Sequence, residues 1–250
     1  MVIDYPCKPN GMFVLSKTQL DGLATRVLKN FMPEVLDHPQ PVDIEYLLEE
    51  KLNLTIKNKR LDFNSEILGV TVFEDEEIPC LDNMYREITI SVPAGTILIH
   101  TELQGYINTA RRNFTIAHEG GHWMLHRQYH SPTNQKYQLR TQRPAYIACR
   151  SVNIESKKRN LKTDEDWEEW QADTMAAALL MPHDMFSFYS GGLIRKTGNR
   201  CLTDKRSRVY IEIIEEIAYR FMVSKTAAEI RLKQLGFIEK ESENKKIFSY

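Results

Sequence analysis

The stretch Thr115–Arg127, T-I-A-H-E-G-G-H-W-M-L-H-R, constrains this chain more than any other. It sets His118, Glu119 and His122 in the spacing H-E-x-x-H. Residues i and i+4 share one face of a helix, so both imidazoles can direct a ring nitrogen at one ion, as in two-histidine zinc sites. Glu119, one position beyond the first histidine, can take a proton from water activated by the ion without itself binding it. Phe114, Ile116, Ala117, Trp123, Met124 and Leu125 surround the polar trio with apolar surface, which predicts a buried helix. The spacing also arises by chance, so its meaning depends on a third ligand elsewhere.

A source for that ligand is Asp166–Pro182, D-W-E-E-W-Q-A-D-T-M-A-A-A-L-L-M-P. Glu169 and Asp173 stand one helical turn apart on one face. One can ligate an ion while the other accepts a proton from the far nitrogen of a ligand histidine. The acids from Asp164 to Glu169 also suit a helix N-terminus on electrostatic grounds alone. That simpler account does not need Asp173, which lies within the apolar run and would be costly to bury without a partner.

Together, R-R-N-F-T-I-A-H-E-G-G-H-W-M-L-H and the later E-W-Q-A-D-T-M-A-A-A-L-L-M-P resemble the ImmA/IrrE-type family of zinc metallopeptidases. The resemblance covers roughly Leu68 to Pro182. It implies that His118, His122 and Glu169 are zinc ligands and that Glu119 is the catalytic base. It also implies a zincin-like α+β fold, with a small mixed sheet packed on the H-E-x-x-H helix. The implied activity is narrow endoproteolysis of a protein or peptide, such as a transcriptional repressor. The long step from His122 to Glu169 marks an insertion near the site. The metzincin variant is excluded, because Leu125 and Gln128 occupy its Gly and third-His positions.

The chain's 250 residues suffice for one substantial domain and a small appendage. With Lys+Arg 33 against Asp+Glu 34, its formal net charge of −1 gives no global attraction to nucleic acid or membrane. Cys7, Cys80, Cys149 and Cys201 are scattered and read as free thiols in a reducing compartment. The N-terminus lacks a basic region followed by an apolar one, and no apolar run reaches the length of a membrane span. A cytoplasmic protein is expected.

Residues 1–60 read as a helical N-terminal part. After an irregular start, Ser16 caps a helix with Leu20, Leu23, Ala24, Val27, Leu28 and Phe31 at helical spacing, and Asp43 caps a second over Ile44–Leu52. Residues 61–190 carry the sheet and the helices of the site. Strands are predicted at Leu54–Lys57, Ile67–Phe73, Glu87–Val92 and Thr96–Ile99, with turns at Asp75–Pro79 and Val92–Gly95. His126 lies about 12 Å along the helix from His118, too far to share its ion, and is expected to pack or hydrogen-bond. His130 is expected in a loop. Gln135–Arg143 reads as polar, Tyr146–Val152 as a further strand and Glu155–Lys162 as a charged loop. Tyr137, Arg143, Tyr146 and His183 each could donate to an oxyanion, and the sequence does not choose among them.

Gly191, Gly192 and Gly198 suggest a linker before a C-terminal segment, 200–238. Asp204 is expected to cap its first helix. Ile217–Leu235 reads as a helix-turn-helix, with Ser224 as the second N-cap. Its cations Lys225, Arg231 and Lys233 could contact DNA. Glu215, Glu216 and Glu229 dilute that charge and favour a helical pair packed on the remainder of the chain. Residues 239–250 form a charged tail.

Overall fold

The computed structural model describes residues 5–8, 10–130, 145–150 and 161–238. The run Gln135–Arg143, most of the charged run from Glu155 and the C-terminal tail lie outside the described residues.

Helix α1 spans Lys17–Phe31. The Ser16 hydroxyl accepts from the Gln19 N–H at 3.3 Å, and the Gln19 side chain accepts from the Ser16 N–H at 2.8 Å. This reciprocal cap satisfies two of the amides that a helix start leaves without partners. Leu20, Leu23, Ala24, Val27 and Leu28 form its buried face, as the spacing predicts. Helix α2 opens at Ile44 behind the Asp43 carboxylate, which accepts from Tyr46 N–H at 3.0 Å. It widens into a π-helical stretch over Leu47–Lys51, burying Ile44, Leu47 and Leu48.

Five strands follow: β1 (Thr55–Lys59), β2 (Ile67–Val72), β3 (Glu76–Leu81), β4 (Glu87–Val92) and β5 (Thr96–His100). With β6 (Tyr146–Arg150), three of them build a mixed sheet of order β1-β5-β2-β6, in which only β1 and β5 run parallel. Alternation along β2 divides its faces. Val70 and Val72 join Leu61, Ile78, Val92 and Leu98 in a small core beneath the β3–β4 hairpin, leaving Gly69 and Thr71 on the other face. Strand β3 corrects the expected turn over Asp75–Pro79. The bend is confined to Phe73–Asp75, and Pro79 sits opposite Thr89 inside the hairpin. Proline is tolerated there because, among the described residues, β3 pairs with β4 and otherwise only at its end, where Leu81 bridges Arg60.

Helix α3 (Thr109–His130) packs on β2 and β5 and makes its most extensive contact with α4 (Asp164–Leu180). Thr163 and Asp166 cap α4 reciprocally, and Asp164 accepts from Lys8 Nζ at 2.7 Å and Asn10 Nδ2 at 2.6 Å. The first-turn acids therefore do serve the helix start. His130, expected in a loop, closes α3 and is buried.

Three helices complete the chain: α5 (His183–Lys196), α6 (Arg208–Phe221) and α7 (Lys225–Gln234). Gly191 and Gly192, expected in a linker, lie inside α5. Ser207, not Asp204, caps α6. Ser224 caps α7 as expected, after a left-handed Met222. Leu20, Leu48, Ile116, Met175, Ile217 and Leu232 belong to one apolar core, so the C-terminal helices pack into the same interior as α1–α4. No described helix is long and apolar enough to cross a membrane.

Of the cations that could have contacted DNA, Arg231 takes up the packing role that the charge balance favoured. It is fully buried, donates to Asp21 Oδ1 at 2.5 Å and donates to the Met181 carbonyl through Nε and Nη2 at 3.2 and 3.1 Å. It therefore cannot reach DNA in this fold. Lys225 and Lys233 are engaged by Glu215 and Glu229. Removing one partner of a buried pair strands the other, so Arg231→Ala should cost about 3–5 kcal/mol in urea denaturation. A loss below about 1 kcal/mol, the range of exposed pairs, would contradict this placement.

Nearby, burial and the positive charge of Arg231 push Lys17 down to about 8 from 10.5, with Asp21 opposing. Between those pH values the folded chain holds fewer protons at this site than the unfolded chain, so the site adds stability as pH rises through the window. Lys17→Met should melt above wild type at pH 7, and the gap should close as pH rises from about 8 to 10.5. A gap that stays constant across that window would exclude the titration.

Candidate metal centre

The facing surfaces of α3 and α4 bring the two sequence motifs together. His118 Nε2 and His122 Nε2 lie 2.9 Å apart. Glu169 on α4 places one carboxylate oxygen 3.6 Å from His118 Nε2 and the other 3.5 Å from His122 Nε2. The potential ligand atoms of these three residues all fall within 4.8 Å of one another. His118 and His122 are buried, and Glu169 is partly so.

Asp173, one turn after Glu169, turns to the far side of the first histidine, where its Oδ1 meets His118 Nδ1 at 2.8 Å. Holding the proton on Nδ1 leaves the Nε2 lone pair facing the cluster. The neighbouring Glu168 faces elsewhere, pairing its Oε1 with His130 Nε2 at 2.6 Å. The two adjacent glutamates are thus divided between a metal-type cluster and a buried histidine. His126 sits between them, 3.0 Å from His122 and 3.2 Å from Gln171. Burial and the adjacent His122 push its pKa down to about 3, so it is neutral near pH 7.

Glu119 points to the sheet. Its Oε2 accepts from the Thr71 hydroxyl at 2.5 Å, while Oε1 is buried without a hydrogen-bond partner. Burial pushes its carboxyl up to about 7, with Glu169 adding to the shift and His118 and Thr71 opposing it. A cation at the His118–His122–Glu169 cluster would oppose that shift further, by favouring the charged carboxylate. Glu169 Oε2 is also buried without a hydrogen-bond partner. Two carboxylate oxygens left this way, beside two converging imidazole nitrogens, fit a divalent cation and would be costly without one.

The approach of α3 to its neighbours depends on glycine. A Cβ on Gly121 would lie 3.1 Å from the Ala172 carbonyl oxygen, and one on Gly120 would lie 2.8 Å from the Leu48 side chain. The two variable positions of the motif are therefore where α4 and α2 close in. Glycine inside a helix costs about 1 kcal/mol relative to alanine, which closer packing offsets here. On β2, a Cβ at Gly69 would sit 2.4 Å from Glu119 Oε1.

Of the suggested oxyanion donors, Tyr137 and Arg143 lie outside the described residues. Tyr146 pairs with Val72 and packs on the hairpin core, on the sheet face opposite Glu119. His183, at the start of α5, is half-exposed and pairs with Asp184. Thr71, Gly69 and Gln171 take part in the site although the sequence reading did not single them out. The regular four-residue series His118, His122, His126, His130 was a signal that the whole α3 face is polar and partnered.

Fold and cluster describe a candidate metal site built on one helix pair. A family profile described as the IrrE N-terminal-like domain, peptidase family M78, matches residues 103–233. That span exceeds half the chain, which therefore belongs to this peptidase family. No curated protein matches the chain.

Gly69→Ala should push Glu119 out of place and cost about 1–3 kcal/mol, the usual range for overpacking. Gly192, inside α5 with open space at its Cβ position, supplies the control. Gly192→Ala should be neutral or stabilise by up to about 1 kcal/mol. Chemical denaturation of both variants checks the pair, and equal effects would remove the steric argument.

Proposed function

We propose that this chain is a zinc-dependent endopeptidase of zincin-like architecture, in which His118, His122 and Glu169 hold the ion and Glu119 is the general base. The observation that carries this reading is the convergence of the two imidazoles and one carboxylate beside a buried carboxylate that is not part of the trio. A purely structural zinc site has no use for Glu119. When bound, zinc supplies a Lewis acid that polarises a peptide carbonyl and acidifies water.

The chain's own residues account for positioning and proton transfer. Thr71 holds Oε2 of Glu119, Oε1 makes no hydrogen bond, and the carboxylate would accept a proton from the attacking water and pass it to the leaving amine. Asp173 orients His118 and stabilises positive charge on its ring. Among the described residues β6 is the edge of the mixed sheet next to β2, where an extended peptide could pair through its main chain. Family membership supports a protein substrate, and the resemblance to anti-repressor and stress-response peptidases favours a regulatory protein such as a repressor. The DNA-binding alternative is the weaker one, since Arg231 is buried and the flanking lysines are paired.

Purified protein should carry about one zinc per chain, and His122→Ala or Glu169→Ala should lower that content, since two remaining ligands hold zinc poorly. Glu168→Ala should leave it near wild type. Glu119→Gln keeps the Thr71 contact and the zinc but cannot accept a proton, so cleavage should fall by about 10²–10⁴-fold. Incubating wild type and Glu119→Gln with a cell lysate and mapping newly formed protein N-termini tests this reading. Termini produced equally by both proteins, or by neither, would overturn the peptidase mechanism.

A further inference from the structure

One chain of contacts behind the cluster is not used by the mechanism above. Gln171 on α4 is fully buried, and its Nε2 donates to the Phe13 carbonyl at 2.7 Å. A carbonyl oxygen can only accept, so this bond fixes which end of the Gln171 amide faces which way. The amide oxygen is thereby turned to His126 Nε2, 3.2 Å away. An amide oxygen also only accepts, so His126 carries its proton on Nε2. In a neutral ring the other nitrogen, Nδ1, is then a lone pair. That lone pair faces His122 Nδ1 at 3.0 Å. His122 must therefore carry its proton on Nδ1, which leaves its Nε2 lone pair directed at His118 Nε2 and Glu169.

We infer that His126 and Gln171 are positioning residues for the metal site: a relay from the Phe13 carbonyl through Gln171 and His126 sets the tautomer in which His122 can ligate. The inference rests on the reading of His122 as a ligand. It assigns the two histidines different supports. His118 is held by a carboxylate, Asp173, whereas His122 is held by a neutral imidazole that is itself held by an amide. A charged acceptor raises ligand basicity more than a neutral one, so the two ligands are unequal donors to the same ion. The relay also links the site to the N-terminal segment, because Phe13 closes a short loop through its bridge to Cys7. Were the Gln171 amide reversed, its nitrogen would face His126 Nε2 and the Phe13 carbonyl would lose its donor.

Volume and hydrogen bonding can be separated at position 126. His126→Phe fills the space without an acceptor, whereas His126→Asn offers an amide oxygen near the Nδ1 position. Zinc affinity, measured by competition with a chromophoric chelator, should fall about 10–100-fold in His126→Phe, the usual range for losing a ligand's supporting partner. His126→Asn should recover most of that loss. Equal affinities in the two variants would overturn the relay. Imidazole ¹⁵N spectra of the wild-type protein, recorded with and without zinc, supply a readout that needs neither variant. His126 should be protonated at Nε2 and bare at Nδ1 in both, with a scalar coupling across the His122–His126 hydrogen bond when zinc is bound. A proton on His126 Nδ1 would refute the inference even if zinc binds as proposed. If wild type shows the expected His126 tautomer but takes up no zinc, the reading of the cluster as a zinc site fails instead.

Discussion

The separation of α3 and α4 controls the chemistry available to this chain. Neither helix holds the whole candidate trio. His118 and His122 belong to one and Glu169 to the other, and the carboxylate lies 3.5–3.6 Å from both rings where Gly121 lets the Ala172 backbone come close. A Cβ at Gly121 would stand 3.1 Å from the Ala172 carbonyl oxygen, so α4 would have to give by a few tenths of an ångström there. Two adjacent glycines would ordinarily weaken a helix. They are tolerated because α3 is fixed from outside, by Leu48 against Gly120, Ala172 against Gly121, and β2 beneath Glu119.

The same helix pair buries an unusual amount of polar surface, and burial of this kind is stable only when each group is satisfied. Along α3 the histidines recur every four residues, and α4 meets them in antiparallel order. Asp173 pairs with His118, Gln171 with His126 and Glu168 with His130. His130 is further enclosed by Phe73, stacked on it at 4.5 Å between ring centroids. This arrangement separates functions that residue type alone would merge. His118, His122, His126 and His130 meet Glu168, Glu169 and Asp173 at one interface, yet among the described residues only His118, His122 and Glu169 have donor atoms converging on a common point.

That distinction explains what could be read from the chain in advance. Contacts within one helix follow from spacing, so the shared face of His118 and His122, the shared face of Glu169 and Asp173, and the Ser16 and Ser224 caps were legible. Contacts between elements leave no periodic trace. Nothing in the sequence marks Thr71 as the anchor of Glu119 or Gln171 as the partner of His126, because each pair joins residues far apart in the chain. Strand β3 was obscured differently. Ile78 and Cys80 do alternate inward, but Glu77 and Pro79 between them are residue types that strands disfavour. His130 was expected in a loop, whereas the four-residue series to which it belongs places it on the buried face of α3.

Arg231 shows how the packed reading of the C-terminal helices, favoured over DNA contact from the charge balance, bears on function. A cation on the last helix of a helix-turn-helix-like segment suggests nucleic acid, and its neighbours Lys225 and Lys233 strengthen that impression. In the fold its guanidinium instead bonds the carbonyl of Met181, the residue that ends α4, and the carboxylate of Asp21 on α1. A cation at a helix C-terminus satisfies carbonyls that the helix itself cannot and complements the helix dipole. Helix α1 also packs along α4, so Arg231 ties together the end of the helix that carries Glu169 and Asp173 and the element that supports it. The C-terminal helices thus support the candidate site through α4, without offering Arg231 to solvent.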